Sequence, residues 1–155
     1  MTGAVTIRRG DAHDREFVLD LGSRVAATSI SAVRPAPLPM VEHAYDRLMA
    51  YVLARDHDLL VATDGATSVG FLVMLHDLPD EVTNTEQGFV AYMAVEPQLQ
   101  RQGVGAALIA GAEDIARARG LPYLSLMVTE DNATARGLYE RAGFVTERRM
   151  MTKQL

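Results

Sequence analysis

Two glycines at a spacing suited to phosphate binding lie in the stretch Gln100-Arg101-Gln102-Gly103-Val104-Gly105-Ala106. The stretch falls where an apolar strand is expected to give way to a long helix. Glycine lets the backbone approach a ligand without an intervening side chain, and the first turn of a helix offers an anion free N–H groups and a partial positive charge. The pattern indicates a pyrophosphate-binding loop, although an ordinary tight turn would use the same residues.

Two flanking segments strengthen the phosphate-binding interpretation. Upstream lies Ala91-Tyr92-Met93-Ala94-Val95-Glu96-Pro97, an apolar strand pattern that ends at a proline. Downstream lies Asn132-Ala133-Thr134-Ala135-Arg136-Gly137-Leu138-Tyr139-Glu140-Arg141-Ala142-Gly143-Phe144. A lone glycine turn would say little about nucleotide binding, but the three segments together are hard to explain by accident.

Residue types disfavour two other nucleotide-binding loops. A phosphate loop of the kinase or ATPase type needs Lys-Ser/Thr after its second glycine, whereas Gly105 is followed by Ala106. A dinucleotide fingerprint needs a third glycine three residues beyond Gly105, where this chain has Leu108. It also needs a ribose-binding acid about 20 residues further on, where the chain has Ser125 and Leu126.

Composition narrows the class of protein. The 155 residues, 48% of them apolar, are expected to form one domain, residues 1–155, with a sizeable core. The net charge of -5 gives no overall attraction for nucleic acid or an anionic membrane, so neither is an expected partner. The chain has no cysteine and its four histidines lack ligand spacing, so no metal site is expected. With no long apolar run at either end or within the chain, the expected location is the cytoplasm.

The hydrophobic periodicity predicts a mixed α/β order of elements. Strand patterns of alternating or continuous apolar residues are interleaved with helical stripes, and a loop with three prolines separates the first two helices. The predicted strands cover residues 5–8, 59–62, 69–75, 89–95 and 123–128, with a last strand or two within 144–153. The predicted helices run from residue 11 or 14 to about 27, and over 41–54, 103–119 and 133–141. A turn at Asp64-Gly65 is predicted to join the second and third strands as a hairpin.

The glycine loop and its flanking segments closely resemble the GNAT superfamily of acyl-CoA-dependent N-acyltransferases. Gln100, Gly103 and Gly105 match the family hallmark Q/R-x-x-G-x-G/A, and residues 132–144 resemble its second signature, N-x-x-A-x-x-L-Y-x-x-x-G-F. The resemblance covers residues 88–144 and implies that they form the acetyl-CoA-binding half. Residues 1–87, the acceptor-side half, match only in the order of elements. The implied fold is α/β: a twisted, mostly antiparallel sheet, splayed in the middle and flanked by about four helices.

The resemblance implies acetyl-CoA as the cofactor. Its pyrophosphate would be held by the backbone amides of Gln102, Gly103, Val104, Gly105 and Ala106. Arg101 would lie at the rim of this loop. The main chain of the strand end, at Met93, Ala94 and Val95, would pair with the pantetheine arm as an added strand does. A backbone amide near Val95 would stabilise the oxyanion that forms when the amine attacks the thioester. Asn132 and Ala135 would line the other wall of the slot. Arg136 would either reach a phosphate or be a solvated surface residue.

Tyr139 is the residue expected to do chemistry, because it resembles the family tyrosine that protonates the departing CoA thiolate. A phenol suits this task since it can donate a proton while staying neutral at pH 7. The alternative is a helix aromatic that packs near Phe144. The general base is less well defined, because the position where several family branches carry a glutamate is Phe89 here. Glu86 ranks first as the base and Tyr92 second.

The sequence therefore predicts an N-acetyltransferase that acts on a primary amine of a small molecule or peptide, by direct attack of the amine on the thioester. The alternative is a non-catalytic, acyl-CoA-sensing module of the same fold, which the missing family glutamate keeps open. A homodimer is also expected, because the short tail after Gly143 leaves a sheet edge that a second subunit would cover.

Overall fold

Five strands form one sheet with helices on both faces in the computed structural model, which describes residues 3–155. The strands are β1 Val5–Arg9, β2 His57–Asp64, β3 Thr67–Leu75, β4 Gly88–Val95 and β5 Leu124–Leu126. The helices are α1 Arg15–Val25, α2 Leu38–Ala54, α3 Val104–Ala118 and α4 Ala133–Arg141, with short 3-10 helices at Ala12–Asp14, Ala26–Ser29 and Pro97–Leu99. The strands lie in the order in which they occur in the chain, antiparallel as far as β4 and parallel between β4 and β5. This confirms the predicted fold class and most of the predicted elements.

Each face of the sheet has its own apolar core, because successive strand residues point to opposite faces. On one face, α1 and α2 pack on the strands through buried residues that include Leu21, Met49, Val61 and Phe71. On the other face, α3 packs through buried residues that include Leu60, Leu72, Val104 and Leu108. No helix among residues 3–155 is both long and apolar enough to span a bilayer.

Strands β4 and β5 separate after three paired positions. Gly88 pairs with Leu124 and Val90 with Leu126, and the register then stops. β4 continues to Val95 with β3 along its other side. Residues 91–95 therefore have a strand partner on one side only, and the predicted splay is present, although it lies between the last two strands of the described sheet rather than in its middle. β5 is shorter than predicted because the splay begins after Leu126.

The loop before α2 ends earlier than predicted. Helix α2 begins at Leu38, so Pro39, which the sequence placed in the loop, lies in its first turn. Proline is tolerated there because the N–H that it lacks would have no acceptor within the helix.

The prediction of a last strand within residues 144–153 is wrong: in the described part of the chain, no strand follows β5. A three-residue β5 offers little backbone for a further strand to pair with. Side chains hold the tail instead, since Arg148 pairs with Asp80 at 2.7 Å and Arg34 donates to Thr152 Oγ1 at 3.3 Å.

A buried carboxylate ties together the ends of three elements. Asp58, at the start of β2, is 4% exposed and accepts hydrogen bonds from Arg9 at 2.6 Å and from Arg119 at 2.8 and 2.9 Å. Burial acts to raise the pKa of Asp58, but the two guanidinium groups outweigh burial and the pKa is lowered. The ionised carboxylate thus anchors β1 and the end of α3 to β2.

We expect Asp58→Asn to lower the free energy of unfolding by about 2 kcal/mol at neutral pH, because the two arginines lose their charged acceptor. The folded-state pKa of Asp58 lies below the unfolded value, so its contribution is present above about pH 4 and is lost as the pH falls through the folded-state pKa. Urea unfolding of both proteins at about pH 7 and about pH 3 measures this, and the difference between them should shrink at the lower pH. An equal difference at both pH values would contradict the assignment.

Candidate functional site

The glycine loop presents unpaired backbone donors at the start of α3. The first hydrogen bond of the helix runs from the N–H of Ala107 to the carbonyl oxygen of Gly103, at 3.0 Å. The N–H groups of Val104, Gly105 and Ala106 therefore precede the first helical hydrogen bond. Gly103 has a φ of 85°, and a Cβ added to it would meet nothing within 4 Å. The loop thus opens onto free space where the helix dipole favours an anion.

The second glycine of the loop serves helix packing. A Cβ at Gly105 would lie 2.8 Å from Leu138 Cδ2 of α4 and 3.6 Å from Met93 Cε of β4. Glycine at this position therefore lets α3 and α4 approach closely beside the end of β4. Gly105 thus has a packing role in addition to the ligand approach expected for both glycines of the loop.

Polar side chains of the loop fold back on the chain that precedes it. Gln100 Nε2 lies 3.5 Å from Val95 O, and Gln102 Nε2 donates to Gln98 O at 3.1 Å. Arg101 is exposed and has a φ of 63°, in the left-handed region. These contacts fix the loop to the end of β4 and leave the Arg101 side chain at the rim.

The last residues of β4 form one wall of the slot left by the splay. Met93 and Val95 pack with the α3 core, whereas Ala94 packs with the core beneath α1 and α2. Their main chain pairs with β3 on one side. On the side of β5 it is available to an extended ligand.

Residues at the start of α4 follow the loop that leaves β5. Asn132 caps the helix, with its Oδ1 accepting from the N–H of Ala135 at 3.2 Å. Both residues are half-buried. Arg136 donates to Glu130 O at 3.2 Å and lies 3.4 Å from the Glu130 carboxylate. Its guanidinium is therefore engaged by acceptors next to its own helix.

Two tyrosines pack on opposite faces of the sheet, each in a different core. Tyr139 packs with the α3 core and lies 5.8 Å, ring centre to ring centre, from Phe144. Tyr92 packs on the other face, 4.8 Å from the ring of Tyr45 and 6.2 Å from that of Phe71. Burial, with a smaller effect of the neighbouring Tyr92, raises the pKa of Tyr139 to about 12. Tyr139 therefore keeps its proton at neutral pH.

The structure does not bring Glu86 to the tyrosines. Glu86 is exposed in the loop before β4, six residues ahead of Tyr92 along a nearly extended chain. At the rise of a strand, six residues span at most about 20 Å, and the four from Gly88 to Tyr92 within β4 span about 13 Å. The position argues against Glu86 as a base at this site. Tyr92 is near the site, but burial raises its pKa and keeps it a neutral phenol.

An ion pair that the sequence analysis did not single out fixes the end of β4 to α1. Glu96, directly after β4, accepts from both terminal nitrogens of Arg24, at 2.7 and 3.1 Å. The two residues are 72 positions apart. No local sequence signal marks such a pair, because each residue taken alone resembles an ordinary surface charge.

Comparison with known proteins decides the family. Residues 28–144 match the model of the Acetyltransferase (GNAT) family. The chain belongs to this family. The matched range contains the glycine loop, both walls of the slot and Tyr139, so the resemblance stated from the sequence is confirmed.

Individual GNAT relatives match over different lengths. A mycothiol acetyltransferase of Beutenbergia cavernae is 42% identical over 67 residues, 43% of this chain but only 21% of that protein. Among solved structures, a putative acetyl transferase from Pyrococcus furiosus has a TM-score of 0.82 at 22% identity, covering 98% of this chain and 100% of that one. AAC(6')-Iy in complex with the bisubstrate analogue CoA-S-monomethyl-acetylneamine has a TM-score of 0.70 at 17% identity, covering 99% of both chains. The two structures share the fold of this chain.

Proposed function

We propose that this GNAT protein is an acetyl-CoA-dependent N-acetyltransferase that acetylates a primary amine of a small molecule or peptide in a ternary complex. The observation that carries the proposal is the open, left-handed Gly103 at the N-terminus of α3, beside the slot between β4 and β5. Family membership supports the activity. The CoA bisubstrate analogue bound by AAC(6')-Iy, a protein of the same fold, supports the cofactor.

The residues present fit the cofactor. The N–H groups of Val104, Gly105 and Ala106 have no helical acceptor and would hold the pyrophosphate, with Arg101 at the rim. The unpaired side of residues 91–95 would take the pantetheine arm. When bound, acetyl-CoA supplies a thioester whose C–S bond breaks as the C–N bond to the amine forms, which leaves CoA as the thiol.

The protein's own contribution to the chemistry is a proton held at Tyr139. With its pKa raised to about 12, the phenol is fully protonated at neutral pH; it would give this proton to the leaving thiolate and regain one from the nitrogen of the new amide. Tyr92, also a neutral phenol, would accept a hydrogen bond from the amine rather than remove its proton. We therefore propose that the ammonium proton leaves through water.

Calorimetric titration with acetyl-CoA, with NADH and ATP as controls, tests the proposal. We expect micromolar binding of acetyl-CoA alone, because the slot suits an extended arm that the other nucleotides lack. A screen of primary amines for release of CoA thiol should then find an acceptor. No binding, or equal binding of all three nucleotides, would overturn the cofactor assignment.

A second candidate is an acyl-CoA-sensing module that binds the cofactor without turnover. It is favoured by one observation: neither Phe89 nor the distant Glu86 provides a carboxylate near the two tyrosines. This module would bind acetyl-CoA with the same residues. It would release no thiol with any amine.

We also propose that two copies associate through the open edge of β5. Large apolar side chains are exposed beside this edge and in the tail: Tyr123 at 59%, Met127 at 74%, Met150 at 77% and Met151 at 92%. A second copy would cover this edge and remove the apolar surface from water. The cytoplasmic location expected from the sequence stays a prediction.

A further inference from the structure

Two hydrogen bonds connect the loop after the 3-10 helix Ala26–Ser29 to the loop between β5 and α4. Thr129 Oγ1 donates to the carbonyl oxygen of Ser29 at 2.8 Å. The N–H of Ala32 donates to Asp131 Oδ2 at 2.7 Å. The two pairs join segments that are 100 and 99 residues apart. We call these four residues the clasp.

The clasp spans the slot on the face of the sheet that α1 and α2 cover. Thr129 and Asp131 lie three and five residues after the end of β5 at Leu126, beyond the point where its pairing with β4 stops. Ser29 lies near Tyr92 of β4, because Ser29 acts to lower the pKa of Tyr92 and so partly offsets the larger rise that burial causes. One short segment of chain therefore reaches from one wall of the slot to the other.

The segment that carries the clasp is also anchored at both ends. Ala26 is buried in the core at one end, and α2 begins at Leu38 at the other. Pro35 and Pro37 stiffen the chain between them. Between these anchors the segment is exposed, and the two bonds of the clasp hold it against the β5 side. Their loss would leave Arg34 bonded to Thr152 Oγ1 at 3.3 Å but would free residues 29–32 to move away from the slot.

We infer that the clasp sets which amines are accepted: with residues 29–32 held across the slot, slender unbranched primary amines reach the tyrosines and bulky ones do not. This inference rests on the proposed function. The glycine loop and α3 lie on the opposite face, so the acetyl-CoA end of the site does not depend on the clasp. Opening the clasp should therefore change amine selection and leave cofactor binding as it was.

Matched variants separate the hydrogen bonds from other roles of the same residues. Asp131→Ala and Thr129→Val remove one bond each, whereas Asp131→Asn and Thr129→Ser keep an oxygen that can make it. We expect Asp131→Ala and Thr129→Val to raise kcat/KM for bulky relative to slender primary amines by about 10-fold or more, a discrimination in the range that pocket contacts supply. The KM for acetyl-CoA should stay within about twofold, since cofactor contacts are unchanged. Asp131→Asn and Thr129→Ser should behave as the wild type.

Hydrogen exchange at the Ala32 amide measures the clasp without any turnover. We expect this amide to be protected in the wild type and in Asp131→Asn, and to exchange about 10-fold faster or more in Asp131→Ala, as for a loop released from its hydrogen bond. Circular dichroism melts show whether each variant is folded.

Three results would overturn the inference: an unprotected Ala32 amide in the wild type, an unchanged amine preference in Asp131→Ala, or Asp131→Asn behaving like Asp131→Ala. The last result would mean that the charge of Asp131 acts on the amine directly. If the wild type acetylates no amine although Ala32 is protected and is released in Asp131→Ala, the proposed function fails. The clasp is then a structural contact that selects no substrate.

Discussion

Replacing Gly103 by glutamate is expected to weaken acetyl-CoA binding by about 100-fold or more, a loss of about 2.7 kcal/mol. The side chain would project into the free space in front of α3, where a Cβ meets nothing within 4 Å. A carboxylate there would compete with the pyrophosphate for the same N–H groups and repel its charge. Calorimetric titration of wild type and variant with acetyl-CoA measures the effect.

Gly120 provides the matched control at the other end of the same helix. It follows α3, has a φ of 70°, and also has nothing within 4 Å of an added Cβ. Gly120→Glu therefore carries the same charge and a similar backbone strain, about 1–2 kcal/mol for an L-residue in the left-handed region. We expect it to lower stability at least as much as Gly103→Glu, because a negative charge is unfavourable at the C-terminus of a helix, while acetyl-CoA affinity stays unchanged. Equal loss of affinity in both variants would show that strain, not the anion site, is responsible.

Short sequence patterns predict the half of the site that is built from residues close together in the chain. The glycine loop, β4 and helices α3 and α4 lie within a residue or two of their predicted bounds. Each is specified by a short signal: a proline that stops a strand, a glycine at a helix start, or apolar residues at helical spacing. The backbone donors of the loop follow from these signals alone, because any helix start leaves its first N–H groups free.

The other half of the site depends on contacts between distant residues, which one sequence does not show. Asp131 resembles a solvated acid until the fold brings it to the N–H of Ala32, and Glu96 resembles one until it meets Arg24. The same limit explains the wrong prediction of a strand within residues 144–153. A strand needs a partner, and β5 ends after three residues.

Glu86 shows how closeness in sequence differs from closeness at a site. A carboxylate next to the strand that lines the slot was a reasonable candidate for the base. Because a strand carries successive residues steadily away from its start, Glu86 lies at the end of β4 opposite to Val95. The distance along β4, rather than the residue type, argues against it.

Tyr139→Phe is expected to lower kcat by about 100-fold or more, in the range of general acid catalysis, while acetyl-CoA affinity stays within about twofold. The change removes one hydroxyl and keeps the aromatic contact with Phe144. Because the pKa of Tyr139 is raised to about 12, the wild-type rate should show no loss from this group between neutral pH and about pH 10. Steady-state rates of thiol release across this range, with calorimetry for the cofactor, measure both effects.

Tyr123→Phe is the matched control, since Tyr123 is 59% exposed just before β5 and the change keeps the apolar ring that the proposed association of two copies would cover. It should leave kcat and acetyl-CoA affinity unchanged. If Tyr139→Phe retains full turnover, the acid is another group or water, and Tyr139 serves as packing beside Phe144. If the wild type binds acetyl-CoA yet no amine yields thiol, Tyr139→Phe has no rate to reduce, and the same slot belongs to a sensing module rather than an enzyme. The substitution therefore distinguishes the two functions through a single hydroxyl, because both predict the same binding and only the enzyme needs the proton that Tyr139 keeps.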